Sequence, residues 1–238
     1  REVDKEGPLT IVSDEPYLSY SRPLISKYLS KERTFESMLF RPPDFYSRNN
    51  ITAVLGKRVI DLGLSEHIAE LESGERIAWE KLLIASGGVP IVPKMEGAGK
   101  RGIFTFTTLD DAKAIDEFIE NAHDAVVIGG GLIGISVTEA LKKRGVKVTV
   151  VEMKDRILNT ILDEQASSIA EAALKKAGIR IITGRTVAEI NCQRFATDRA
   201  PGMDARVEIH AVHQQAVPCA EDGLGLIEEY PGTRLVAV

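Results

Sequence analysis

Three glycines and one carboxylate carry the first chemical signal in this sequence. Gly129, Gly131 and Gly134 stand in G-x-G-x-x-G spacing directly after a short apolar run, residues 125–128, which reads as a buried strand. Behind them Ile133, Val137, Ala140 and Leu141 recur at helical spacing. Lys142, Lys143 and Arg144 close the last turn, and Gly145 stops it. Residues 146–151 form a second β-branched run, and Glu152 follows it. Each part has a physical job. Gly129 permits a tight turn, Gly131 lets a pyrophosphate approach bare backbone, and Gly134 lets helix and strand pack closely. The helix mouth, with Leu132 and Ile133 beside the glycines, offers unpaired N–H groups and a partial positive charge to phosphates. Glu152 lies 18 residues past Gly134, where a carboxylate can accept both hydroxyls of an adenosine ribose. A 2′-phosphate would be repelled there, which favours NAD(H) over NADP(H). The competing reading is a glycine-rich turn in some other α/β domain. The occurrence of strand, glycines, helix, strand and acid in that order weighs against it.

The elements that must position this turn are soluble in character. At 238 residues the chain can bury a core in one large domain or two small ones. Its 44% hydrophobic and 27% charged residues are ordinary for a globular protein. A net charge of −5 advertises no nucleic-acid surface. The glycine-interrupted run 125–137 is too short to span a bilayer, and no signal peptide is visible, so no membrane association and a cytoplasmic location are expected. Cys192 and Cys219 form no C-x-x-C pair, which argues against a redox-active dithiol and against a disulfide scaffold. With His210 and His213 they could in principle ligate zinc, but the spacing is irregular and no metal site is expected. The chain begins at Arg1, a few residues before a strand, and a preceding segment is expected.

Along the chain, residues 9–13 read as a strand ending in Asp14 and Glu15. A Pro-interrupted loop follows, with one helical turn at 25–29. Residues 44–49 suggest a short helix before a strand at 51–55. Three short segments, 58–62, 67–71 and 76–79, are separated by glycine turns and suggest a small antiparallel layer. Residues 81–85 are an apolar run closed by Ser86, Gly87 and Gly88, read as a buried strand whose end meets something through bare backbone. A Pro- and Gly-rich linker spans 89–102. Residues 109–121 fit a helix with Ala112, Ile115, Phe118 and Ile119 on one face. Residues 162–177 fit another, with Ala166, Ile169, Ala173 and Leu174 inward. Strands are expected at 179–183, 187–190 and 207–212, and the pattern weakens from Asn191 onward.

These residues resemble the FAD-dependent pyridine nucleotide oxidoreductases, in the branch of apoptosis-inducing factor, NADH oxidases and ferredoxin reductases. The matching segments are IVSDEPYLSYSRPLISK, DFYSRNNITAVLGKRV, IAWEKLLIASGG, IFTFTTLDDAKAI, AVVIGGGLIG and VKVTVVEMKDRIL, in the family's order and covering about residues 9–190. The resemblance implies an α/β fold: a partial FAD-binding domain with a small antiparallel layer at 1–120, then a Rossmann-like NAD(H)-binding domain at 121–238. The tail from about residue 191 stays unaligned. It implies that Asp14 and Glu15 meet the FAD adenosine, that Arg22 and Lys27 lie along the pyrophosphate and flavin, and that the Val59 backbone touches the adenine. It also implies that Ala85, Ser86 and Gly87 pass close to the cofactor. Gly129, Gly131, Leu132, Ile133, Gly134 and Glu152 match the NAD turn. The family's own first glycine fingerprint, its later G-D segment and its interface domain have no match in the sequence. Thr107 stands where relatives often carry an Arg toward FAD. Ser136 stands where they carry a Glu that pairs with the lysine matching Lys27.

Lys27 is the candidate catalytic residue, since an ammonium near the flavin would stabilise charge on the reduced ring. A solvated surface lysine is the bland alternative, and an exposed Arg is the same for Arg22. Tyr20 and Trp79 could stack on a ring but are more often core or rim. The resemblance implies an FAD-dependent NAD(P)H oxidoreductase that passes hydride from NADH to flavin and electrons to an acceptor, a redox protein among the candidates, as a homodimer or a complex subunit. The alternative is an NAD(H)-binding fragment or redox-complex subunit without bound FAD.

Overall fold

Apolar runs that alternate with amphipathic helices give a mixed α/β architecture. The computed structural model describes residues 6–93, 95–120, 122–193, 206–213, 225–226 and 234–237. By contact they fall into two compact units, Arg1–Ser21 with Thr34–Val89, and Arg22–Arg33 with Pro90–Val238. In chain order the first elements are β1 (Leu9–Ser13), α1 (Ile25–Leu29), α2 (Phe45–Arg48), β2 (Ile51–Leu55), β3 (Val59–Gly63), β4 (Ile68–Leu71) and β5 (Arg76–Ala78). Then come β6 (Ile103–Phe104), α3 (Leu109–Ile119), β7 (Asp124–Ile128), α4 (Leu132–Lys143), β8 (Lys147–Val151), α5 (Glu164–Lys176) and β9 (Arg180–Ile182). The last are β10 (Arg185–Gln193), β11 (Arg206–His213), β12 (Gly225–Leu226) and β13 (Arg234–Ala237).

In the first unit β1 and β2 pair in parallel, Leu9 opposite Ile51 through Ser13 opposite Leu55. The small layer forms as its glycine turns predict: β3, β4 and β5 are antiparallel neighbours. Buried Tyr20, Met38 and Tyr46 make a core under the loops. Tyr17, Tyr20 and Phe35 meet edge to face there, with centroids 5.6–6.4 Å apart, a geometry aromatic quadrupoles favour. Trp79 lies flat on His67 at 4.5 Å. Both aromatics singled out in the sequence are thus used by the fold itself.

Residues 81–85 differ from the expectation of a buried strand. They adopt no strand, and Leu83 and Ile84 are 88% and 66% exposed. A strand persists through hydrogen bonds to a neighbour, and no described strand pairs with this run.

In the second unit five parallel strands lie in the order β6-β13-β7-β8-β9. Purely parallel strands need both faces covered, hence their unbroken Val/Ile runs. Val126, Val151, Val187 and Ile190 form a buried cluster with Met95, Ile103, Ile128 and Ile182 against it. Each fully buried side chain of this kind contributes about 1.5–3 kcal/mol. The run at 187–190 is indeed a strand, but it belongs to a separate antiparallel sheet, β10-β11-β12. Helix α3 begins in a capping box: the Asp111 N–H donates to Thr108 Oγ1 at 3.1 Å, and the Thr108 N–H donates to Asp111 Oδ2 at 2.9 Å. On helix α5 Ala166 and Leu174 are half-buried as expected, but Ile169 and Ala173 are exposed. Ile169 is 67% exposed and Ser167 is buried, because Ser167 Oγ donates to the Ile157 carbonyl at 2.5 Å. No described helix is long and apolar enough to cross a membrane.

Candidate dinucleotide-binding site

The glycine turn sits where β7 hands over to α4. Its first residue bends the chain: Gly129 has φ +110°, a region closed to residues with a Cβ, and its N–H donates to the Val151 carbonyl at 2.8 Å. Its last residue sets the helix distance. A Cβ on Gly134 would lie 1.9 Å from the Gly129 carbonyl oxygen. Between them Gly131 caps the helix, and a Cβ there would meet nothing within 4 Å. The mouth of α4 is therefore open, and its first N–H groups have no intrahelical partner.

Glu152 is 8% exposed and lies across this turn. Its Oε2 accepts the Gly130 N–H at 2.5 Å, and its Oε1 accepts the Lys154 N–H at 2.7 Å. The carboxylate is thus fixed in place, and each oxygen keeps a further lone pair for a hydroxyl donor. The Leu158 N–H donates to the Gly130 carbonyl at 2.7 Å. Gly130 is packed between Ile157 and Glu152, where a Cβ would come within 2.9 Å of Ile157 Cγ2. These contacts at Gly130, Ile157 and Leu158 were not read from sequence, since the fingerprint marks only its three spaced glycines. Leu132 and Ile133 are 61% and 56% exposed on the first turn. Ile133 was placed by its spacing in the helix and, with Leu132, beside the glycines at its mouth. The first turn of α4 projects past the sheet, and burial begins at Val137.

Lys27 and Arg22 belong to the same unit as the turn. Arg22 Nη1 donates to the Thr107 carbonyl at 3.0 Å. Lys27 Nζ lies 3.2 Å from Glu32 Oε2 and 3.3 Å from Glu139 Oε1. Lys143 reaches the same two carboxylates, at 2.8 Å and 2.6 Å. Hydrogen bonds from Lys143, Ser30 and Lys27 hold the Glu32 carboxyl down to about 2. The Lys143 hydrogen bond, then that of Lys27, lowers Glu139 against the opposing effect of burial, and the two carboxylates push Lys143 up. Ser136, half-buried, stands one turn before Glu139 on α4.

In the first unit the Asp14 carboxylate accepts from Arg58 at 3.4 Å, and Glu15 Oε2 accepts from the Tyr20 hydroxyl at 2.5 Å. Val59 is 38% exposed. Ala85, Ser86 and Gly87 are exposed, and Gly87 has φ +73° with nothing near its would-be Cβ. These residues fit FAD in part. They offer carboxylates and bare backbone, whereas of the two G-x-G-x-x-G spacings in the chain, at 97–102 and 129–134, only the second lies between a strand and a helix. Cys219 lies outside the described residues.

Comparison with known proteins agrees with this geometry. The family model described as pyridine nucleotide-disulphide oxidoreductase matches residues 1–210. The NADH-dependent phenylglyoxylate dehydrogenase subunit epsilon of Aromatoleum evansii is 33% identical over 187 residues, covering 79% of this chain and 44% of that protein. The 5,5'-dehydrodivanillate O-demethylase ferredoxin reductase subunit of Sphingobium sp. is 32% identical over 206 residues, covering 85% and 49%. The crystal structure of NADH:rubredoxin oxidoreductase from Clostridium acetobutylicum superposes with a TM-score of 0.67 at 30% identity, covering 74% and 46%. The chain spans about half the length of these two curated relatives.

Proposed function

The chain belongs to the pyridine nucleotide-disulphide oxidoreductase family, and from that premise we propose that it is the NADH-binding portion of an FAD-dependent NADH:acceptor oxidoreductase. The observation that carries this reading is the open helix mouth at Gly131 with the Glu152 carboxylate fixed across it. The homologues use FAD and NAD(H). When bound, FAD supplies the relay from a two-electron donor to a further acceptor.

The chain's own residues bind and orient. The α4 N-terminus takes the dinucleotide phosphates, Glu152 takes the adenosine ribose, and exposed Leu132 and Ile133 flank the entry. Asp14, Glu15, Arg22, Val59, Ala85, Ser86 and Gly87 are assigned to the FAD side, in a partial FAD-binding domain at 1–120, and residues 121–238 to the NAD(H) domain. Lys27 places a positive charge for the reduced flavin. The acceptor is a small redox protein of the ferredoxin or rubredoxin kind, for which two of the relatives are named. The setting is the cytoplasm, in a complex or homodimer.

One observation favours a second reading, an NAD(H)-binding subunit without bound flavin: only one G-x-G-x-x-G spacing, that at 129–134, lies between a strand and a helix, while the other, at 97–102, does not. A visible spectrum of the purified chain followed by NADH titration separates the two. Flavin bands near stoichiometric occupancy support the first. A colourless or weakly flavinated protein that binds NADH is the expected result for this chain and supports the second for it alone. Failure to bind NADH sinks both.

A further inference from the structure

Lys27 sits in a segment that changes allegiance. Residues before and after Arg22–Arg33 cluster with the first unit, while this stretch clusters with the unit that holds the nucleotide turn. Two separate charge clusters secure it there. In one, Arg144 donates to the Leu29 carbonyl at 2.9 Å and to Asp116 at 2.5 Å, and Lys31 also pairs with Asp116. Burial would raise the Asp116 carboxyl, but the hydrogen bonds from Lys31 and Arg144 outweigh it and the group is lowered. Arg144 and Asp116 are only 21% and 20% exposed, so this cluster is shielded from screening and anchors the backbone. In the other, Lys27 and Lys143 alternate with Glu32 and Glu139 in a ring of four charges.

We propose that Glu139 is the positioning residue for Lys27, reaching it from α4 one turn beyond the half-buried Ser136. The proposal rests on the reading of Lys27 as a functional ammonium. Each member of the ring has its own task. Glu32 belongs to the Lys27 segment itself, with its N–H donating to the Lys27 carbonyl at 2.9 Å, so it cannot register Lys27 against the helix. Glu139 is the member that does. It stands on the helix whose mouth is the nucleotide turn, and it fixes the ammonium relative to that mouth. Lys143 neutralises the second negative charge, so that Lys27 is held without a net surplus of carboxylate around it. Residues 136 and 139 are three apart and share a helix face, so a carboxylate at either can reach the same partner.

Competitive acylation with acetic anhydride, read peptide by peptide by mass spectrometry, tests this on the chain as it exists. An ion-paired amine reacts slowly, and loss of the partner frees it. With Glu32 still at 3.2 Å, Glu139→Gln is expected to raise the Lys27 rate by about two- to threefold while Lys31, held by Asp116, stays at its wild-type rate. Adding Ser136→Glu to that variant is expected to bring the Lys27 rate back. An unchanged Lys27 rate, an equal rise at Lys31, or no return with Ser136→Glu overturns the proposal. NADH titration of the wild-type chain reports separately on the functional reading, so the two can fail independently.

Discussion

The turn at 129–134 and the run at 81–88 look alike in sequence. Each is an apolar stretch that runs into glycines, and each reads as a strand whose end lets a cofactor approach bare backbone. In the structure they part company. The strand before the first is hydrogen-bonded on both sides, with Asp124 opposite Lys147 and opposite Arg234. Its glycines bring α4 so close that a single methyl on Gly134 would overlap a carbonyl. The second run has no paired neighbour among the described residues, and Leu83 and Ile84 are 88% and 66% exposed. A turn between a strand and its own helix carries its instructions within about thirty residues. A lone apolar run needs a partner strand from elsewhere in the sequence, and composition cannot say where that partner is.

That contrast can be broken or sharpened by substitution. The largest effect is expected at Gly134→Ala. The clash is with backbone, which cannot swing aside, so the variant should lose about 3 kcal/mol of stability and its NADH affinity, read by thermal melting and calorimetric titration. A folded variant with wild-type affinity would mean that the close approach is not required. Glu152→Ala should weaken NADH binding by about 10- to 100-fold, the worth of hydrogen bonds to a charged group, and relax discrimination against NADPH. Unchanged affinities for both would remove Glu152 from the site.

Thr108→Ala, at the α3 capping box, should cost about 1 kcal/mol and leave NADH affinity alone, which calibrates what a purely structural contact is worth here. Its partner Asp111 adds a pH signature. Burial raises its carboxyl, but the Thr107 and Thr108 N–H groups and the Thr105 hydroxyl hold it below the ordinary range. A depressed carboxyl stabilises the fold above its unfolded value, about 3.9, and that contribution is lost as pH falls through the folded value. The stability gap between wild type and Asp111→Asn should therefore narrow below about pH 4. The smallest effect belongs to the other side of the comparison. Leu83→Ser should change stability by no more than about 0.5 kcal/mol. A larger loss in denaturant titration would show that the 81–85 run is packed in solution.

What was legible follows the same line. The glycine spacing, the basic last turn of α4 and Gly145 with φ +82° are local signals, and they were read as they fold. The role of Glu152 was half legible. Its position implied a ribose ligand, but its bonds to the Gly130 and Lys154 N–H groups depend on how the turn folds back. The α5 face was read correctly at Ala166 and Leu174 but not at Ile169 and Ala173, and a periodicity count could not find Ser167, whose hydroxyl bonds the Ile157 carbonyl. Lys27 was expected to lack a carboxylate, because Ser136 was compared position by position. Glu139 supplies one from the next turn, a substitution visible only once the helix is built. Strands β6 and β13 escaped notice because two and four residues carry too little pattern; pairing alone makes them strands.

The placement of β13 bears on how the molecule is made. A ribosome releases β6 and β7 long before residues 234–237 emerge, yet those late residues fill the slot between them. Until then the slot stays vacant, with naked peptide groups along both of its sides. An unpaired strand edge is a template for pairing with another chain, so β13 protects both of its neighbours.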